Sequence, residues 1–416
     1  MVSATDRAAT RERLRRLIRE IESRPSAPRP FVHRPVVVDA PQLRFATEWR
    51  EVDGALMRER VYPAAYLHGE QALGGGDVDG ELLALLGGDE ELARATAGDL
   101  VFLDIEATGL GGAGAMVFLV AAGRWESGGF RLRQYLAPAP PAEAGLLRQV
   151  IAACRTGSAE PVLVTYNGTT YDAPMLDARG TMHRLRMGFD AMSHLDLLKT
   201  VRRGIRDALR PHRLSHIEAV LLGLRRPEGE VSGADVPGWY FRFLRTGDTR
   251  MLTPIVEHNA ADVLSLAALL TRLAAVHGRA EEGGHLERLL LGRLRARQGR
   301  IEEALAHLEA ARGLTKSVGL RHTVAMESAR LLRRAGRRLE AAALWREVAG
   351  GEVAAGAALV ELAKHHEHHE RDLERALAAV ERALALRGPE PTLLHRRQRL
   401  LRKTAVAAAS GGAAIP

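Results

Sequence analysis

The stretch VFLDIEATGL, Val101 to Leu110, decides how the rest of the chain reads. The apolar run Val101–Phe102–Leu103 predicts a strand, and side chains alternate across a strand. Asp104 and Glu106 therefore share one face and Ile105 takes the other. Thr108 and Gly109 end the strand. Two acids projecting from a strand end suit a hard divalent cation held by oxygen ligands. They equally suit a turn cap or a pair with one of the many arginines. The partners that separate these readings lie further along the chain.

At 416 residues the chain has length for two or three domains. The formal charge of +8 and the pI of about 10.1 are compatible with a polyanionic partner such as nucleic acid. Much of that excess is scattered arginine, so the charge alone does not identify one. Cys154 is the single cysteine, which excludes an intrachain disulfide framework and a cysteine-based zinc site and points to a reducing cytoplasm. No apolar run approaches the roughly 18 residues of a membrane span, so no membrane is expected. The charged start MVSATDRAATRERLRRLIRE lacks the apolar core of a secretory signal.

Residues 1–42 read as a basic amphipathic helix followed by a proline-rich linker, and 43–99 as an elaboration of the main domain. From 100 to 278 the pattern is α/β. VFLDI, MVFLVAAGRW and FRLRQYL, joined by glycine-rich turns such as GGAGA (111–115), predict an antiparallel meander. Helices are expected over Pro141–Arg155, Pro174–Met187, Arg213–Leu222 and Thr253–His277, with a buried strand in PVLVTYN and a strand or strand-to-helix junction in HLDLLK. Ser215 and Glu218 have capping-box spacing for the third helix. The expected architecture is a mixed central sheet with flanking helices. Residues 284–403 show helical segments in which Gly299, Gly336 and the following alanines recur at the same offset, with a period near 35. That period fits helix–turn–helix repeats of the tetratricopeptide kind. The Ala/Gly-rich residues 404–416 read as a disordered tail.

Two later stretches supply partners for Asp104 and Glu106. VLVTYNGTTYDAPML ends a buried strand at Tyr166–Asn167 and presents Asp172 where a helix begins. EHNAADVLSLAALL puts His258 and Asp262 four apart, on one helix face. A buried, hydrogen-bonded histidine beside a capping aspartate is the plainer account of that pair. Taken together, four carboxylates suit two divalent ions about 4 Å apart, the arrangement of two-metal phosphodiester hydrolysis, with His258 aligning and deprotonating a water.

In order and type these three motifs resemble those of DEDD-type 3′→5′ exonucleases on the ribonuclease H-like fold. The arrangement is most similar to the bacterial YprB-like group, in which tetratricopeptide repeats follow such a domain. The resemblance spans about residues 60–275 and continues through the repeats. It implies that Asp104, Glu106, Asp172 and Asp262 bind two Mg²⁺ or Mn²⁺ ions and that His258 is catalytic. It also implies that Thr108, Gly109 and Asn167 touch the terminal nucleotide. The expected substrate is nucleic acid with single-stranded 3′ ends, and the repeats are expected to take a protein partner. His258 stands four residues before Asp262, the spacing of tyrosine-bearing members, where histidine-bearing members have five. One residue on a helix turns a side chain by about 100°, so Asn259 competes for that role. The rival readings are a non-catalytic nucleic-acid-binding scaffold and an endonuclease on the same fold.

Asp196 in HLDLL reads as a buried structural acid, and Trp239, Tyr240 and Phe241 as core. Arg202, Arg203, Arg206, Arg210 and Arg213 suit either a phosphate-tracking groove or a solvated face. His365, His366, His368 and His369 form a cluster without the cysteine or acid geometry of a metal site.

Overall fold

The computed structural model describes residues 48–109, 114–226, 233–279, 282–351 and 353–411. The expected N-terminal helix with its proline-rich linker, and most of the GGAGA loop, lie outside them. The first two strands, β1 (Trp49–Val52) and β2 (Ala55–Tyr62), were not anticipated and join the main sheet. Asp53 and Gly54, at φ 55° and 76°, form the tight turn between them. β3 (Leu67–His68) and β4 (Gln71–Ala72) make a small separate hairpin, followed by α1 (Gly80–Gly87).

The expected meander is β5 (Leu100–Ala107), β6 (Val117–Glu126) and β7 (Gly129–Leu136). Then come α2 (Glu143–Arg155), β8 (Val162–Thr165), α3 (Asp172–Met182), β9 (Ser193–Asp196) and α4 (Leu197–Ile205). α5 (Leu214–Ile217) runs into a π-turn, Glu218–Leu222, and is followed by α6 (Val236–Thr246) and α7 (Thr253–Gly278). The seven-stranded sheet has the order β1-β2-β7-β6-β5-β8-β9. β8 runs parallel to β5 and to β9, and the other neighbours are antiparallel.

Both faces of the sheet are covered, and β5 shows why. Leu100 and Phe102 join the core beneath α7, whereas Val101, Leu103, Ile105 and Ala107 pack with α2, α3 and α6 on the other face. Continued alternation aims Asp104 and Glu106 toward α7. Gly123 on β6, paired with Phe102, lets that helix lie close. A Cβ there would sit 2.8 Å from Val263 Cγ1 and 2.4 Å from Phe130 Cζ. By length and composition α7 could cross a membrane, contrary to the expectation that no run reached that length, but most of it is buried within the domain.

The remainder is helical: α8 (His285–Arg297), α9 (Ile301–Leu314), α10 (Val318–Arg334), α11 (Arg338–Ala349), α12 (Ala355–His365), α13 (Leu373–Arg387) and α14 (Pro391–Gly411). Arg337 donates to Glu302 at 2.8 Å and Arg312 to Glu347 at 2.7 Å, each across 35 residues, the spacing seen in the sequence. The helices do not stand apart from the sheet. Arg293 on α8 donates to the Gly204 carbonyl at 2.8 Å, and one core runs from Leu73 to Leu331. The expected tail begins as helix, because α14 continues through residues 404–411; alanine is the strongest helix former.

Two helix expectations are corrected. Arg213–Leu222 is a short α-helix ending in a π-turn, and Ser215 lies inside it rather than capping it. Glu218 is bonded to Arg226 instead. The helix expected over Pro174–Met187 is Asp172–Met182, so it opens on the acid itself.

Candidate active site

β5 delivers the first two acids, and a register shift in its pairing with β6 follows Glu106. Such bulges re-aim a strand end. Thr108 does not point free. Its hydroxyl accepts the Met116 amide at 2.9 Å and its own amide donates to the Met116 carbonyl at 2.9 Å. The Gly109 carbonyl accepts the Tyr171 hydroxyl at 3.0 Å, which ties the first motif to the second.

Asn167 follows β8 at φ 71°, a left-handed turn residue, and its amide donates to Asp196 Oδ1 at 2.9 Å. Asp196 also accepts the Thr169 hydroxyl at 2.6 Å and the Leu198 amide at 3.1 Å, capping α4. This is the structural role expected for Asp196. It orders the loop that leads to Asp172, the buried first residue of α3.

α7 carries the rest. His258 Nε2 lies 3.7 Å from Asp262 Oδ2. Asn259 is fully buried and does not stand in for a base. Its amide group donates to Asp104 Oδ2 at 2.7 Å and to the Asp104 carbonyl at 3.2 Å. Asn259 Oδ1 in turn accepts Gln134 Nε2 at 3.0 Å. It therefore fixes the rotamer of a candidate ligand. Sequence reasoning missed Arg226 altogether and read Glu218 only as half of a capping box. Arg226 donates through Nε and Nη2 to the two oxygens of fully buried Glu218, at 2.7 and 2.5 Å. The same guanidinium bonds Asp262 and lies 3.0 Å from His258 Nδ1. Glu218 was detectable as an acid inside the apolar run IEAVLL, whereas nothing local distinguishes Arg226 from the other arginines.

The four predicted acids act on one another. Burial, then the charges of Asp262, Asp172 and Glu106, push Asp104 well above the usual carboxylate range, against the Asn259 hydrogen bond. Burial raises Glu106 to about 7; His258 opposes the shift, while Asp262 and Asp172 add to it. Burial also raises Asp172 to about 7, against bonds from the backbone amides of Asp172 and Ile105 and with help from Asp196 and Asp262. Asp262 is raised by burial and held back by Arg226 and His258. Carboxylates crowded into a poorly solvated place, with a guanidinium on Asp262 alone of the four, carry excess negative charge that a hard cation relieves. The oxygen donor set thus fits Mg²⁺ or Mn²⁺. As the side chains stand, no three His, Cys, Asp or Glu among the described residues converge into a metal-binding group.

The secondary candidates resolve differently. Tyr240 is buried and stacks on Phe118 at 4.0 Å, as core, but Phe241 is exposed and Trp239 half-buried. Arg203 turns inward to the Gly87 carbonyl at 2.7 Å, while Arg202, Arg206, Arg210 and Arg213 are exposed. His365 and His366 both face Glu370, at 3.2 and 2.6 Å.

Comparison with known proteins matches residues 101–274 to the RNase_H superfamily. The matched span contains all four acids and His258, and its mixed sheet with flanking helices is consistent with a ribonuclease H-like fold followed by a helical region. The chain is 29% identical over 365 residues to the uncharacterized protein YprB of Bacillus subtilis strain 168, covering 82% of this chain and 85% of that one. Among solved structures it is similar to the family B DNA polymerase of the archaeon Pyrobaculum calidifontis, with 18% identity and a TM-score of 0.34. That match covers 50% of this chain and 28% of the polymerase.

Proposed function

We propose that the protein is a metal-dependent 3′→5′ exonuclease that hydrolyses phosphodiester bonds of nucleic acid at single-stranded 3′ ends. One observation carries this reading. Packing brings acids from three distant stretches together: Asn259, three residues before Asp262, donates to Asp104 Oδ2 at 2.7 Å, and Tyr171, next to Asp172, donates to the Gly109 carbonyl at 3.0 Å. The RNase_H-superfamily match supports the nuclease class.

In this reading Asp104, Glu106, Asp172 and Asp262 hold two Mg²⁺ or Mn²⁺ ions, which supply Lewis-acid stabilisation of the phosphoryl oxygens and a water acidic enough to attack. Asn259 locks the Asp104 carboxylate, and Asp196 orders the turn that presents Asp172. His258, on the same helix face as Asp262, orients the water and takes its proton. The Thr108–Gly109 corner and the Asn167 turn border the place for the terminal nucleotide, with Tyr171 bracing them. The division at 100–278 and 284–403, with tetratricopeptide-like repeats that take a protein partner, belongs to the same proposal.

The test uses one strand labelled at its 3′ or its 5′ end, as DNA and as RNA, with Mn²⁺. A 3′ label released at once as mononucleotide, with the 5′-labelled strand shortening stepwise, is the expected result. Internal fragments would make the protein an endonuclease, and intact strands that remain bound would make it a binding module. His258→Ala is expected to lower turnover without weakening Mn²⁺ binding.

A further inference from the structure

Arg226 is placed to be more than a brace. Its Nε and Nη2 already form a complete fork on Glu218, at 2.7 and 2.5 Å, and Glu218 is fully buried. Nη2 bonds Asp262 in addition, and Nη1 reaches His258 Nδ1 at 3.0 Å. The guanidinium side chain is only 9% exposed, so its charge is spent on these partners rather than on solvent. Two cations cannot share the Asp262 carboxylate at close range without strong repulsion in a poorly solvated site. Glu218 gives the guanidinium a counter-ion that it keeps when Asp262 is taken from it.

From this geometry we propose that Arg226 is a resident cation that exchanges with the divalent ion. In the metal-free chain it neutralises Asp262. When an ion binds there, Arg226 gives up Asp262, stays on Glu218, and frees His258 Nδ1 as an acceptor. The inference rests on the metal-site reading and adds a built-in competitor to it. Metal affinity is thereby set lower than the acids alone would make it, and loading of the site is coupled to release of the histidine.

The experiment is a Mn²⁺ titration of the full chain at pH 8, reading free Mn²⁺ by electron paramagnetic resonance. The variants are Asp104→Asn, Arg226→Met and the double variant Glu218→Gln/Arg226→Met, which removes both charges of the buried pair and leaves no lone buried ion. Thermal midpoints are measured without metal and at saturation. The proposal expects Mn²⁺ to bind about tenfold tighter or more in both Arg226 variants. It also expects Arg226→Met to melt below the native chain without metal, with the gap narrowing when Mn²⁺ saturates the site. Unchanged or weaker binding by a folded Arg226 variant overturns the exchange while leaving the metal site standing. Binding that is absent, or indifferent to Asp104→Asn, overturns the metal site itself and the exchange with it.

Discussion

Replacing Asn259 by alanine tests the link between the core and the chemistry. Asn259 is the last member of a buried relay in which Arg58 Nε donates to Gln134 at 3.1 Å, Gln134 to Asn259 at 3.0 Å, and Asn259 to Asp104 at 2.7 Å. A hydrogen bond to an ionisable acid contributes about 2 kcal/mol and a neutral one about 1 kcal/mol. Gln134 keeps a second acceptor, the Val256 carbonyl at 2.7 Å, so it is not left unpaired. The variant should therefore lose about 3 kcal/mol of stability. Freed from its donor, the Asp104 carboxylate rotates, and loss of such an orienting contact weakens metal binding by about 10- to 100-fold. Urea unfolding and Mn²⁺ titration at pH 8 read the two effects. Asn259→Asp, which swaps the donor for another negative charge, should bind Mn²⁺ no better than native unless the added acid becomes a ligand. An alanine variant as stable as the native chain, within about 0.5 kcal/mol, and equal to it in Mn²⁺ affinity would refute the reasoning.

Gly123→Val should displace α7 from the sheet, since even a Cβ would lie 2.8 Å from Val263 Cγ1. The expected cost is about 1–3 kcal/mol in thermal unfolding, with Mn²⁺ affinity reduced because Asp262 adjoins Val263; unchanged values for both would contradict the close packing. Asp172→Asn should stabilise the metal-free chain at pH 8. The folded acid titrates near 7 against an ordinary 3.8, so the folded chain binds the extra proton between those values and this contribution to stability falls as pH rises toward 7. The advantage of Asn should shrink as pH drops from about 7 toward 3.8. The difference between the two chains is the proper measure, because burial lowers His68 and His194 to about 4 and makes stability rise with pH over much of the same range. An Asn variant less stable than native at pH 8 in chelator would oppose the electrostatic account.

Much of this was legible because period-two alternation and helical spacing act locally. VFLDIEA alone aims Asp104 and Glu106 at one face, and His258 and Asp262 share a face by spacing alone. What stayed hidden depends on partners far away. β2 reads as a charged segment because its arginines and glutamate are paired across elements: Arg58 and Arg60 meet Glu257, at 2.8 and 3.0 Å, and Glu59 meets Arg131 and Arg133, at 2.5 and 2.7 Å. The Asp53–Gly54 dipeptide was the available hairpin signal for that region. Ser215 and Glu218 matched a capping-box spacing by coincidence, since the energetic demand on a fully buried Glu218 is a counter-ion, which Arg226 meets. Asn259 drew notice for the wrong role. Its distance from Asp104 along the chain conceals a contact that only the packing of α7 on β5 creates.

The most direct measurement compares the native chain with Asp104→Asn on a 3′-labelled single strand, with Mn²⁺ and with chelator. The account predicts that the native chain degrades the strand only with Mn²⁺, and that Asp104→Asn, folded as judged by a cooperative thermal unfolding transition, shows the chelator background. Equal degradation by both chains in Mn²⁺ would contradict it.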